Sequence, residues 1–432
     1  MESLLRRLHI DRHFRILRPS PESVNYFLLL FAMITIHPFR AWRPKTELVE
    51  QVACVPYDVI DTEEARVLAE GRPDSFLHVI RPEIDLPEDV DLYSNAVYHT
   101  GASNLREMQD NGTLVQDEMP SLYLYQQQMG THTQTGLFAC VSVRDYDENR
   151  ILKHELTRPD KEDDRTRHIL TQRAHAEPVM LTCKPNDAMT RLTNQTLSAS
   201  KPVYSFTATD GVIHRVWKVE EPGAFVDAFR EVDKLYVADG HHRCKSASRV
   251  AEKLRDGDYG DEEYEFFPAV IIPMDEMRIL PYNRIIRRVP DDFREQLEKN
   301  FELREDVHPV PESPGKIVFY LAGRWYGLDL PESGPVDVVE QLDVSRLHRH
   351  LLLPLLGIEN QRTDPNIGFV GGIRGTEELE RLVDSGKAQL AVSMYPTSIE
   401  ELMVVSDNDQ LMPPKSTWFE PKLRSGLLVH TF

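Results

Sequence analysis

The stretch Lys234-Leu-Tyr-Val-Ala-Asp-Gly-His-His-Arg-Cys-Lys-Ser-Ala-Ser-Arg-Val-Ala251 constrains the fold more than any other part of the chain. Leu235 to Ala238 is a short apolar run of β-branched and aromatic character, which predicts a buried strand. Asp239 and Gly240 interrupt it. From His241 onward Ala247, Val250, Ala251 and Leu254 recur at helical spacing, so a helix is expected to start there. A strand, a glycine turn and a helix start leave unpaired backbone N–H groups aimed at one spot. The helix dipole makes that spot attractive to an anion. His241, His242, Arg243 and Lys245 add donors around it, and Asp239 supplies a carboxylate. That set suits phosphate, with a metal ion at Asp239; the plainer reading is a tight turn with solvated histidines.

A second stretch, Ile151 to His168, has twelve charged or histidine residues among its eighteen. Such runs form solvated faces laced with weak ion pairs. The functional reading is a loop and first helical turn that offer both signs of charge to a polyanionic ligand, with Lys161 and Arg165 bracing it. His154-Glu155 is the most attractive acid–base pair in the chain. No second His follows at the helical spacing of a zinc protease motif. Upstream, Pro56-Tyr-Asp58 interrupts an apolar segment, and Asp61-Thr-Glu-Glu64 predicts a capped helix start. Tyr57 and Asp58 therefore belong to a strand-to-helix lip or to an Asx-type turn. Asn283-Arg284, next to a strand end, is placed either against a ligand or in a surface turn.

With 432 residues the chain has room for two domains or one elaborated one. A net charge of −20 argues against broad nucleic-acid binding, which needs a basic surface. Four scattered cysteines form no CxxC pair, so a cytoplasmic setting is expected, without a disulfide framework or a zinc signature. Residues 1–32 combine arginines with an apolar run too short to span a bilayer, and read as an upstream extension before Met33. Neither a membrane nor a nucleic acid is expected as a partner; oligomeric state is left open.

The remaining pattern predicts strands at Ser75–Ile80, Ser121–Gln126 with Gly136–Val143, Pro178–Cys183 and Phe267–Pro273, a hairpin over Thr209–Trp217, and helices at Tyr93–Met108 and Gly223–Val232. His214 alternates with apolar neighbours and reads as structural. From Pro290 helices are expected at Asp291–Asn300, Val336–Leu355, Thr376–Ser385 and Ile399–Asp407, with strands at Lys316–Leu321 and Gln389–Tyr395. Gly368 to Gly375 reads as a glycine-rich turn. The proline- and aromatic-rich tail from Leu411 to Gly426 is expected to dock on the body, with Lys415, Ser416 and Thr417 adding donors to the pocket. The expected class is mixed α/β: a mixed or antiparallel sheet body over 33–287 carrying the phosphate turn, then a smaller α/β portion over 288–432.

Seven stretches in order, His37-Pro-Phe-Arg, Pro56-Tyr-Asp-Val-Ile60, His154-Glu-Leu-Thr-Arg-Pro-Asp-Lys161, Asp210-Gly-Val-Ile-His-Arg215, Ala238-Asp-Gly-His-His-Arg243, Tyr282-Asn-Arg284 and Pro413-Pro-Lys-Ser-Thr-Trp-Phe419, resemble a large prokaryotic family catalogued as a domain of unknown function, number ten-fifteen. The resemblance runs from about Met33 to Phe432, and the family label names no activity. More remotely, Asp239-Gly-His-His-Arg243 is similar to the signature of the ParB/sulfiredoxin-like superfamily, which includes free-serine kinases. That resemblance implies that Gly240, His241, His242 and Arg243 hold nucleotide phosphates and that Asp239 meets a metal or the reacting hydroxyl. The reactive cysteine of sulfiredoxin is missing from the turn, and no helix-turn-helix region of the ParB kind is evident.

The expectation is an ATP-dependent kinase for a small hydroxylated metabolite, free L-serine first, with Mg²⁺ held by Asp239 and Glu155 as the base. His154 is its neighbour in catalysis, and Tyr57, Asp58, Asn283 and Arg284 are candidate substrate contacts. A nucleotide-binding regulator without turnover, or a metal-dependent phosphoester hydrolase built on His154, Glu155, Asp239 and His241, are the alternatives.

Overall fold

A computed structural model describes residues 33–432 apart from 333, 335 and 336. The expected extension over residues 1–32 lies outside the described residues, as does the start of the expected helix at Val336. Ile34–Phe432 make up one unit, which is mixed α/β and built on two larger sheets. The first runs in the spatial order Ile151–Leu152, Leu235–Asp239, Val179–Cys183, Phe266–Pro273, His132–Ser142, Tyr123–Met129, Ile213–Lys218 and Tyr204–Thr207, with Ile36–His37 paired to His132–Ser142. Leu235–Asp239 pairs in parallel with Ile151–Leu152, and Phe266–Pro273 in parallel with Val179–Cys183. The remaining ladders of this sheet are antiparallel.

The second sheet is antiparallel throughout: Arg304–Glu305, Arg324–Asp329, Lys316–Leu321, Leu390–Ser393, Tyr282–Ile286 and Ile367–Gly371. It begins at Tyr282. One buried cluster takes in Tyr125 and Val270 of the first sheet, Phe319 and Val392 of the second, and Leu423 and Leu427 of the tail. Apolar burial of this extent is the main favourable term of folding. The tail also hydrogen-bonds to the body, as where the Met412 N–H donates to the His154 carbonyl at 2.8 Å. Docking of the tail therefore follows from its aromatic and apolar content. No helix among the described residues is long and apolar enough to cross a membrane.

Most expected elements form. Helix Thr62–Ala69 starts with a full capping box between Asp61 and Glu64. His214 is structural as expected: buried, it hydrogen-bonds through Nδ1 to the Tyr125 hydroxyl at 2.8 Å.

Three expectations are corrected. Ser75–Ile80 is not a strand but leads into the short helix Leu77–Ile80. Its apolar residues Phe76, Leu77, Val79 and Ile80 are all buried while His78 is only half-buried, a spacing that fits one helical face. Gly368–Gly375 is not a turn throughout, since Ile367–Gly371 is a strand. The expected long helix over Val336–Leu355 is broken into Val338–Gln341, Asp343–Leu347 and Leu353–Leu356, with a π-helical turn at His348–Leu352. The polar helix Asp187–Ala199 was not anticipated; Asn186 caps it by accepting from the N–H groups of Ala188 and Met189.

Candidate functional site

Leu235–Asp239 is buried between two neighbours of the first sheet and ends in a register shift between Val237 and Asp239. Gly240 follows with φ +99°, a left-handed conformation that side chains rarely adopt. A Cβ there would also meet the Arg243 guanidinium at 3.1 Å and Val179 at 3.1 Å. Helix His241–Leu254 then starts without any side-chain cap. The first N–H groups of the helix are left for an anion. Its body packs on helix Pro159–Gln172, which brings the second charged stretch beside the turn.

The turn opens on a cleft of about 490 Å³, within the roughly 300–1,000 Å³ of small-molecule sites. Among the described residues seven Lys or Arg and three Asp or Glu line it, a local excess of positive charge in a chain of net −20. Asp239 lies 3.2 Å from the Lys422 ammonium and 3.8 Å from Arg243 Nη2. Burial would raise its pKa, but Lys422 and Arg243 outweigh that and hold it at about 2. Asp58 stands 3.8 Å from the same Arg243 nitrogen. Arg243 donates to the Pro178 carbonyl. Desolvation would lower its pKa, yet Asp58 and Asp239 raise it. Glu155 is half-buried on the cleft; desolvation raises its pKa above the ordinary 4.5, against the pull of Lys415 and Arg362.

Of the anticipated residues, Tyr57, Asp58, Glu155, Lys161, Asp239, Gly240, His241, His242 and Arg243 line this one cleft, although up to 186 positions separate them in sequence. His242 Nε2 accepts from the Arg158 N–H at 3.1 Å, tying the turn to the second charged stretch. Lys415 and Thr417 of the tail line the cleft too, whereas Lys245 and Ser416 do not. Four further candidates, His154, Arg165, Asn283 and Arg284, are also not on its lining, each for a reason. His154 is buried behind Glu155, edge-on to His241 at 4.3 Å, and its N–H donates to His241 Nε2 at 3.4 Å. Burial lowers its pKa to about 4, which leaves it neutral. Arg165 is buried, bonded to Asp164 and 4.1 Å over the Tyr57 ring. It lines a smaller cavity with His168, His175 and Glu177, to which Arg243 also contributes.

Asn283 and Arg284 lie on a strand paired on both sides. Asn283 accepts from the Met394 N–H at 3.0 Å, and the fully buried Arg284 donates to the carbonyls of Tyr282 and, at 3.1 Å, Lys415. Sequence reasoning missed Arg81, Arg362, Phe369 and Lys422, all of which line the cleft. Only the aromatic and basic texture of the tail hinted at Lys422. Glu177 was also missed; it accepts from the Tyr57 N–H at 3.1 Å and from Ser425 Oγ at 3.0 Å, joining the lip to the tail.

No group of three or more His, Cys, Asp or Glu is placed to hold a metal ion among the described residues. The donor set is a carboxylate kept ionised beside cations. It is not a zinc-type cage.

Among solved structures, the chain is similar to a free serine kinase in complex with AMP, at 13% identity and a TM-score of 0.35 over 67% of this chain and 92% of that one. A variant of a free serine kinase in complex with ADP matches at 13% identity and a TM-score of 0.34, over 67% and 92%. A C-terminally truncated SbnI from Staphylococcus aureus matches at 14% and 0.36, over 68% and 87%. No curated protein matches the chain. A family model described as a protein of unknown function, DUF1015, matches residues 36–345, and the chain belongs to that family.

Proposed function

We propose that the chain is an ATP-dependent kinase that phosphorylates a small hydroxylated metabolite, with free L-serine as the acceptor. The observation that carries this reading is the uncapped helix start at Gly240–Arg243, which opens on a cationic cleft beside the ionised Asp239 and the half-buried Glu155. Phosphoryl transfer asks a protein chiefly to position reactants and neutralise charge, and this arrangement supplies both.

The backbone N–H groups at the start of the helix, with Arg243 and Lys422, cradle the phosphates. Asp239 is the residue that would hold Mg²⁺, which supplies charge neutralisation on those phosphates when bound. Glu155 takes the proton of the acceptor hydroxyl as its oxygen bonds to the γ-phosphorus, and the bond to ADP breaks. Its raised pKa suits a base better than an ordinary carboxylate. Lys161 stabilises the transferred group, and Asp58, beside Tyr57, takes the ammonium of the amino acid. His154, Arg165, Asn283 and Arg284 hold this arrangement from behind rather than touching substrate.

The purified chain, incubated with ATP, Mg²⁺ and L-serine, is expected to release ADP only when serine is present, and Asp239→Asn to abolish that release. Serine-independent release of ADP would point to hydrolysis instead. Nucleotide binding with no ADP formed would contradict the kinase and favour a regulator.

A further inference from the structure

Two sequence features remain outside the mechanism so far: the glycine-dense run Gly368–Gly375 and the tail aromatics. Both meet at the cleft. Tyr282, Phe369 and Trp418 line it together with the phosphate turn. All three are half-buried, and the Arg284 guanidinium lies 5.4 Å from the Phe369 ring centre. The Tyr282 ring stands edge-on to Trp418 at 5.1 Å and to Phe369 at 6.1 Å. Gly371 explains the glycine in that strand: a Cβ there would lie 2.7 Å from the Trp418 ring, which therefore rests on bare backbone. Trp418 is also fixed in orientation, since its Nε1 donates to Glu420 at 2.7 Å. Leu156, an exposed apolar side chain, adds to the same lining.

Two lysines join this apolar wall to the phosphate half. Lys422 Nζ lies 4.8 Å from the Trp418 ring centre and 3.2 Å from Asp239. Lys415 Nζ lies 5.4 Å from the Tyr282 ring centre. Lys415 adopts φ +60°, a conformation uncommon for a residue with a side chain. A cleft that carries an aromatic wall beside a cationic turn, with lysines bridging the two, matches a ligand with both a planar and an anionic part.

We infer that Tyr282, Phe369 and Trp418 form the subsite for the base of the nucleotide, which stacks on this wall while Lys415 and Lys422 face the phosphates nearest the ribose. The assignment rests on the nucleotide reading of the turn and adds where the heterocycle goes. It requires a donor with a base: inorganic polyphosphate would leave the wall empty.

The test compares ATP with tripolyphosphate, which carries the phosphates alone, titrated into the full chain by calorimetry and by tryptophan fluorescence. ATP is expected to bind about 10- to 100-fold tighter, the scale of one base–aromatic stack. Phe369→Leu and Trp418→Leu should remove that advantage and leave tripolyphosphate affinity unchanged. Trp418→Phe, which keeps a ring, should retain ATP affinity while losing the fluorescence change. Equal affinity of the wild type for the two ligands would overturn the base subsite and leave the phosphate turn standing. Unchanged ATP affinity in folded leucine variants, or equal losses for both ligands, would overturn it too. A wild type that binds neither ligand would overturn the nucleotide reading itself.

Discussion

Glu155 is a carboxylate drawn part-way out of water, and desolvation lifts its pKa above 4.5, with Asp239 and Asp58 adding to the rise against Lys415 and Arg362. In the base role proposed for it, it must be ionised. Turnover is therefore expected to fall on acidification at a pH above 4.5, and a pH profile of kcat/KM reads this directly. Removing one general base costs ~10²–10⁴-fold in rate, which sets the loss expected in kcat for Glu155→Gln. A loss below about threefold, far short of that range, would take Glu155 out of the mechanism. At this scale the Asp239–Arg243 turn was legible because strand, glycine and helix start are local properties. Lys422 was not: its bond to Asp239 joins residues 183 positions apart, and only the folded sheet brings them together. That His154 turns inward while Glu155 faces the cleft was not legible, because a charged run does not say which of two neighbours is buried. Its partner His241 lies 87 positions on.

Strand Tyr282–Ile286 carries more of the site than its short length suggests. Paired on both sides, it turns Tyr282 to the cleft and buries Arg284, whose pKa burial lowers to about 10. That guanidinium donates to carbonyls, one of them in the Lys415 turn. Arg284→Met keeps much of the volume and removes the donors. Leaving buried carbonyls unpaired costs about 1–3 kcal/mol, so denaturant unfolding should shift by that amount and hydrogen exchange should quicken around Lys415. Unchanged exchange there would show that Arg284 does not hold the turn. The same strand shows where elements are hard to read: Asn283 and Arg284 look like surface chemistry until both neighbours are known. Ser75–Ile80 misled for a different reason, because a six-residue apolar run fits either a buried strand or one helical face. The capping box at Asp61, by contrast, was readable, since its donors and acceptors lie within three residues.

For the whole molecule, burial of histidines away from the cleft sets the response to acid. Desolvation holds His214 at about 3 and pushes His168 and His175 well below 6.5. Nearby charges act on each: Arg165, Arg81 and Arg167 lower His168, His430 lowers His175, and on His214 the Arg424 effect is opposed by Asp210. Their folded pKa values lie below the unfolded 6.5, so the unfolded chain binds more protons between the two. The stability they contribute is present above pH 6.5 and lost as pH falls toward the folded values. Each adds about 1.4 kcal/mol per pH unit to the slope. Denaturant unfolding from pH 7.5 to 5 should show this decline, and His214→Gln should flatten it. A flat wild-type profile would contradict the account.

Two sheets sharing one core, with a returning tail, also explain why the sheet composition was readable while the assembly of the cleft was not. The most direct test of the central claim is transfer itself. The chain would be given ATP labelled in its γ-phosphate, Mg²⁺ and a panel of free hydroxylated metabolites, with products resolved by mass. Labelled phosphoserine, absent with Asp239→Asn, is the predicted result; label found only in free phosphate or left in ATP would contradict it.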